Sequence, residues 1–397
     1  MKVLMFGWEF PPFSSGGLGT ACYGLTKSLS KKGADITFVL PYHFDADNID
    51  FVKIVSAGKL KIRKIASALQ PYMSSQEYKK SISEKTPRIY GSTLFDEVYR
   101  YALAAEKIAE EEEFDIIHCH DWMTFEAGIR AKGKKNKPLV VHVHATEHDR
   151  TGGHQVNQHI YDSERHGMHK ADKIITVSNF TKNKIITHYG IEPEKIKVVH
   201  NAVDFSEYYN DENFEIKRAD KIVLFLGRIT LQKGPDYFIY AAKRVLEHEN
   251  NVKFVIAGTG DMEPFIIEKA VELGIANKVL FAGFLNQGDV ERAYKMADVY
   301  VMPSVSEPFG ITALEAMKNK APVIVSKQSG VAEVIRHCLK IDFWDVDEIS
   351  NKIISLLRYK PLCETLKDNG YFEVRKFNWD IQAEKCIEVY NDLTKIF

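Results

Sequence analysis

Short apolar runs rich in β-branched residues alternate along nearly the whole chain with longer stretches in which apolar positions recur every three or four residues. Uninterrupted apolar runs suit strands buried on both faces, and the longer period suits helices that cover them, so the pattern predicts parallel α/β architecture. In the first half, Val3–Phe6, Ile36–Leu40, Ile116–His118, Leu139–Val143, Ile174–Val177 and Lys197–Val199 read as strands. Helices are expected near Thr20–Lys32, Leu94–Glu111 and Thr181–Tyr189, and the stretch from Ala46 to Ser92 shows no clear period. A second strand series then runs through Ile222–Leu226, Phe254–Ile256, Val279–Phe281, Val299–Met302 and Val323–Val325. The polar stretch Asp204–Asp220 between the series reads as a linker, which predicts two α/β units with a cleft between them. Ligands of such folds bind beyond the carboxyl ends of the strands, so the loops after Phe6, His118, Val143, Leu226 and Met302 are expected to carry the chemistry.

Composition narrows the classes. With 397 residues, 45% hydrophobic, and a formal net charge of −1, the chain reads as an ordinary globular protein of two or three domains. A balanced charge near pI 6.9 lacks the basic footprint that nucleic-acid binding needs. Between Val52 and Ser81 the only acid is Glu77, against Lys53, Lys59, Lys61, Arg63, Lys64, Lys79 and Lys80. That stretch reads as a solvated face, ahead of peripheral membrane contact or binding of an acidic acceptor. Cys22, Cys119, Cys338, Cys363 and Cys386 are scattered and never spaced as C-x-x-C, so neither a disulfide framework nor a zinc knuckle is expected. Met1–Phe6 runs directly into a strand pattern, and no apolar run approaches the ~18 residues of a membrane span, which together point to the cytoplasm.

The segment PSVSEPFGITALEAM, Pro303 to Met317, concentrates the candidate chemistry. Pro308 and Gly310 keep Glu307 on a loop, whereas Glu315 falls inside the helix expected over Thr312–Lys318. Two carboxylates thus bracket a helix start, where Gly310, Ile311 and Thr312 offer free amides and a partial positive charge to a phosphate. A phosphorylated sugar with hydroxyls on both sides suits that arrangement. A glycosidase pair is the alternative for two carboxylates, but a separation of roughly 10 Å across a helix start disfavours the ~5 Å geometry of a retaining hydrolase.

Further candidates follow other strands. GRITLQKG places Arg228 and Lys233 where two cations can neutralise a departing diphosphate, unless both are simply solvated. GWEFPPFSSGGLG puts Gly16 and Gly17 ahead of a helix, letting backbone approach a diphosphate, and it does not match G-x-G-x-x-G. Seven histidines lie between His142 and His169, but their spacings and the absence of HExxH disfavour a metal centre, and no residue is assigned to one. His144 stands at the exit of its strand, where one positioned imidazole can meet substrate, while His142 is read as a packed or hydrogen-bonded strand residue. In HCHDWM, Asp121 is placed either to cap the helix near Met123 or to bind a sugar hydroxyl, the cap being the simpler role. Asp45 and Asp47 form an Asp-x-Asp that reads as a polar turn rather than a metal site.

Taken together, Gly16, Gly17, His144, Arg228, Lys233, Glu307 and Glu315 resemble the retaining E-x(7)-E glycosyltransferases, the group that includes glycogen, starch and sucrose synthases. GRITLQKG, VIAGTGDME, PSVSEPFGITALEAM and SGVAEVI fall in the order that family shows. The resemblance implies the GT-B fold, two facing Rossmann-like domains with a C-terminal helix returning to the first. Asn378, Trp379 and Asp380, ahead of a helical pattern to Leu393, look like that helix, so the domains implied are 1–203 with 377–397, and 204–376. It further implies that Arg228 and Lys233 hold the donor diphosphate, Glu315 the ribose, Glu307 and His144 the transferred sugar, and Gly310–Thr312 and Gly17 the phosphates. Asp121 joins the donor-binding set. The opening KVLMFGWEFPPFSSGGLG and the His120–Trp122 sequence HDW look most like glycogen synthases, although Ser14 stands where those synthases carry a lysine. A metal-independent transfer of glucose from UDP- or ADP-glucose to an α-glucan, without a cofactor, is therefore expected. The alternatives are another hexosyltransferase, acting on a small or cell-envelope glycan, or a nucleotide-sugar 2-epimerase.

Overall fold

The computed structural model describes residues 1–10, 16–40, 60–64, 93–205 and 220–396. Asp45, Asp47, Ser14, most of the basic stretch and the linker residues 206–219 lie outside them. The chain divides into two units, one formed by Met1–Thr146, Asn157–Asn201 and Trp379–Phe397, the other by Glu147–Val156 and Ala202–Asn378.

In the first unit, seven parallel strands form one sheet in the order β3-β2-β1-β4-β5-β6-β7. They are β1 Lys2–Phe6, β2 Asp35–Leu40, β3 Leu60–Lys64, β4 Ile116–His120, β5 Leu139–Val143, β6 Lys173–Thr176 and β7 Ile196–Val198. Uninterrupted apolar sequence makes the central strands indifferent to which face is covered, and Val3 to Phe6 are all at most 1% exposed. Strand order reverses between β1 and β4, the place where a doubly wound sheet opens a crevice at its carboxyl edge. The helix Gly17–Lys31 leaves β1 there, and the helix Trp122–Lys135 leaves β4.

The second unit repeats the plan with six parallel strands, β8 Lys221–Leu226, β9 Val252–Ala257, β10 Val279–Gly283, β11 Val299–Met302, β12 Val323–Ser326 and β13 Leu339–Ile341. Their order is β10-β9-β8-β11-β12-β13, so the reversal falls between β8 and β11. Phe225, Phe238, Phe254, Ile256 and Val301 sit in its buried core, where Phe238 meets Phe254 edge to face at 5.6 Å.

The C-terminal helix Trp379–Thr394 belongs to the first unit, as expected for this architecture. It packs on Gly17–Lys31 through a close approach that only glycine permits: a Cβ at Gly24 would lie 2.2 Å from the Trp379 indole nitrogen. Two strands differ from the sequence reading. β3 arises in the stretch without a clear period, and β13, three residues long, is too short to show a period. β4 also runs on to His120, two residues past its expected end, because its last polar positions are covered inside the fold rather than turned to solvent.

Candidate functional site

The loop after β8 begins the site of the second unit. A single turn over Leu231–Lys233 ends at Gly234, which holds φ +65 and starts the helix Pro235–Leu246. A side chain is excluded there, since a Cβ would come 2.2 Å from the Pro303 carbonyl oxygen. This tight turn carries Lys233 across to the loop after β11, where its Nζ lies 2.5 Å from Glu307 Oε2. Ser304 Oγ donates to the same oxygen at 3.4 Å. Glu307 is only 7% exposed, and its backbone is fixed on both sides: its N–H donates to the Gln328 carbonyl and its carbonyl accepts from Gly330, each at 2.9 Å. A carboxylate this covered needs a cation or several donors, and Lys233 supplies the cation.

Arg228 lies on the same loop, with Nη2 donating to Gln232 Oε1 at 3.4 Å. Gln232 ties the two loops together, its carbonyl accepting from Val305 N–H at 2.9 Å. Asp149, from the short 147–156 segment of this unit, accepts from Ser306 Oγ at 2.6 Å. The loop that bears Glu307 is therefore held from three directions.

Gly310 precedes the helix Ile311–Lys318 with φ +103, a conformation L side chains rarely adopt, and a Cβ would also press on Met302 Cε at 2.9 Å. The first amides of that helix have no intrahelical acceptor, and the helix follows the loop after β11. A pocket at this point is lined by Leu226, Gly227, Lys233, Met302, Glu307 and Thr312. One turn further along the helix stands Glu315, which accepts from the Tyr294 hydroxyl at 3.2 Å. Burial pushes the Glu315 carboxyl above its ordinary range, while the Tyr294 bond and the Lys318 charge pull it back. The structure thus brings Arg228, Lys233, Glu307, the Gly310–Thr312 helix start and Glu315 to one edge of one sheet.

The candidates of the first unit lie at the carboxyl edge of its own sheet. Gly16, in extended conformation, precedes the helix Gly17–Lys31, so the glycine pair opens the helix three residues earlier than Thr20. Asp121 adopts φ +59 and makes no side-chain cap. Its Oδ1 instead accepts the backbone N–H groups of His144 and Ala145, at 2.7 and 3.3 Å. Capping was the wrong role: a cap would aim the carboxylate at its own helix, and the left-handed backbone turns it toward the end of β5. His144 is partly buried at that exit, with Nε2 2.9 Å from His120 Nδ1, and burial pushes its imidazole down to about 3. His142 is packed, 2% exposed, against the neighbouring imidazoles, and neither of its ring nitrogens has a hydrogen-bond partner among the described residues.

Sequence reasoning missed Tyr294, Ser304, Gln232 and Asp149. Tyr294 and Asp149 act through contacts with residues distant in the chain, whereas Ser304, three positions before Glu307, and Gln232, four after Arg228, lie close in sequence to residues that were singled out. Among the described residues no helix is long and apolar enough to cross a membrane.

Comparison with known proteins agrees with this geometry. Residues 209–372 match the family model of glycosyl transferases group 1, and residues 15–207 match that of glycosyltransferase family 4. The chain is 31% identical to an uncharacterized glycosyltransferase of Methanocaldococcus jannaschii over 98% of both proteins. It is 26% identical to a glycogen synthase of Mycobacterium tuberculosis, covering 84% of this chain and 80% of that one. In structure it resembles a sucrose-phosphate synthase from Thermosynechococcus elongatus, with a TM-score of 0.81 over all of both chains at 18% identity, a likeness of fold. Two Rossmann-like units with the helix Trp379–Thr394 returned to the first, two matching family models and a relative similar over its full length make this chain a glycosyltransferase of the GT-B fold.

Proposed function

We propose that the chain is a retaining hexosyltransferase, moving an α-glucosyl group from a nucleoside diphosphate sugar to a carbohydrate acceptor of the α-1,4-glucan type. The observation that carries this reading is the Lys233–Glu307 pair at 2.5 Å beside the start of the helix Ile311–Lys318. A cation, a covered carboxylate and free helix amides at one sheet edge are the parts needed to hold a phosphate and the sugar attached to it. Arg228 and Lys233 neutralise the charge that grows on the departing diphosphate, so the transfer itself requires no metal ion. Glu307 holds a hydroxyl of the transferred sugar and Glu315 the ribose hydroxyls, while Gly310, Ile311 and Thr312 supply phosphate amides. Of the first unit, His144 contacts the sugar, Gly16 and Gly17 the diphosphate, and Asp121 fixes the His144 backbone. Retention follows if the leaving phosphate takes the acceptor hydroxyl's proton on the face from which it departs. The likeness to a glycogen synthase over most of both chains supports a glucan acceptor.

The test is a panel of UDP-, ADP- and GDP-sugars assayed for hydrolysis alone and then with acceptors, reading the anomeric configuration of the product by NMR. Glu307→Gln and Lys233→Ala are expected to lose roughly 10²–10³-fold in kcat with unchanged circular dichroism. Full activity in both variants, or a product of inverted configuration, would sink the proposal. Conversion of the donor alone to an epimer would replace it with the epimerase reading.

A further inference from the structure

The face of the first sheet that carries β4 and β5 holds four imidazoles where a parallel sheet ordinarily packs aliphatic side chains. His118 and His120 alternate along β4, His142 lies on β5 and His144 just past its end, and the four rings gather on one side, with His120 opposite His142 in the strand register. His118 and His120 are fully buried and His142 is 2% exposed. Their rings form a stack, with centroids 4.5 Å apart for His118 and His120 and 5.4 Å for each of these with His142. Among the described residues, Nε2 of His118, Nε2 of His120 and both nitrogens of His142 have no hydrogen-bond partner. Buried polar atoms are rarely left so, because each forfeits its hydration without return.

The other nitrogens are anchored. His118 Nδ1 shares a hydrogen bond with the Tyr390 hydroxyl, and His120 Nδ1 lies 2.9 Å from His144 Nε2. With Nδ1 protonated and donating outward in both, each Nε2 is left as a bare lone pair. This is the outer bonding that orients histidine ligands of metal ions. One ring nitrogen from each of His118, His120 and His142 lies within 4.8 Å of the others.

We propose that His118, His120 and His142 bind a structural divalent transition-metal ion of the zinc class, separate from the transfer chemistry. Imidazole is a preferred zinc ligand, and bonds of about 2.1 Å in tetrahedral geometry set the nitrogens about 3.4 Å apart, so binding turns these rings out of their present stack until the lone pairs converge. Cys22 and His144 stand beside these rings, the Cys22 sulfur within 4.8 Å of a ring nitrogen of His120 and of His144. The fourth position is left to water, and the ion would tie β4 to β5 while holding His120 in place behind His144.

Untagged full-length protein, stripped with a chelator and given Zn²⁺, should keep one equivalent through gel filtration, and Co²⁺ in its place should give the absorption of a tetrahedral site. At a hundredfold excess of Zn²⁺ over Kd the Tm should rise by roughly 5–10 °C. His142→Phe should abolish retention of the ion and the Zn²⁺ dependence of Tm, with His142→Asn as a second variant should the first not fold, whereas Cys22→Ser should keep both. Without an ion, His142→Phe would remove only an unsatisfied polar group, so a Zn²⁺-independent Tm at or above that of the parent counts against the site. Failure of the parent protein to retain Zn²⁺ overturns it, as does loss of the ion in Cys22→Ser but not in His142→Phe.

Discussion

Glu307 and Lys233 stand 74 positions apart, yet each explains the other's burial. Removing the lysine leaves a carboxylate that is 7% exposed with only the weak Ser304 bond at 3.4 Å, so Lys233→Ala should lower stability as well as activity. The expected loss is about 1–3 kcal/mol in a denaturant titration, and Lys233→Ala combined with Glu307→Gln should recover most of it. A double variant no more stable than Lys233→Ala would mean the pair is not coupled. At Glu315 the useful variant is Tyr294→Phe, which removes a donor to the carboxylate while keeping the ring. The Tyr294 bond lowers the Glu315 pKa against the upward push of burial, so its loss extends the protonated range of Glu315 to higher pH. Donor KM should then rise about 2–10-fold with kcat little changed. The rise should be largest on the acidic side, where Glu315 loses the charge that, on the proposed reading, accepts ribose hydroxyls. An equal KM across the pH range would argue against Glu315 as a donor ligand.

Among the elements, the short helix Ile311–Lys318 depends on the residue before it. Gly310→Ala places a side chain at φ +103 and against Met302, at an expected cost of about 1–3 kcal/mol, and should weaken donor binding by shifting the helix start. Calorimetric unfolding with and without UDP would show both effects, and a variant with unchanged Tm would show that the turn tolerates a Cβ. The helix was legible in the sequence because Pro308 and Gly310 interrupt the chain and Thr312 to Lys318 continue it. Asp121 was misread because Asp before a helix ordinarily caps it. Its left-handed backbone, which no local pattern announces, turns the carboxylate to the amides of His144 and Ala145. β13 escaped for a related reason: three residues hold no period, and the strand exists because β12 offers an edge to pair with.

Across the whole molecule, the last helix closes a unit whose other residues end at Asn201. Truncation after Asn378 would remove Trp379, Cys386, Val389, Tyr390 and Leu393, all at most 6% exposed, uncover the helix Gly17–Lys31 they pack on, and should destabilise the first unit while leaving the second folded. Limited proteolysis should then cut within 93–201 well before 220–378; equal resistance of both would show that the helix is dispensable. The two sheets were written in the sequence, since buried parallel strands need continuous apolar runs, and such runs repeat along the chain whatever their final order. The residue types of the candidate site were also written there, because glycine, proline and paired acids mark loops and helix starts locally. Only the tertiary structure decided strand order, the partnership of Lys233 with Glu307 and of Tyr294 with Glu315, and the gathering of four histidines on one buried face. Those depend on contacts between residues distant in the chain, and a linear pattern records how each segment meets its core but not which segment it meets there.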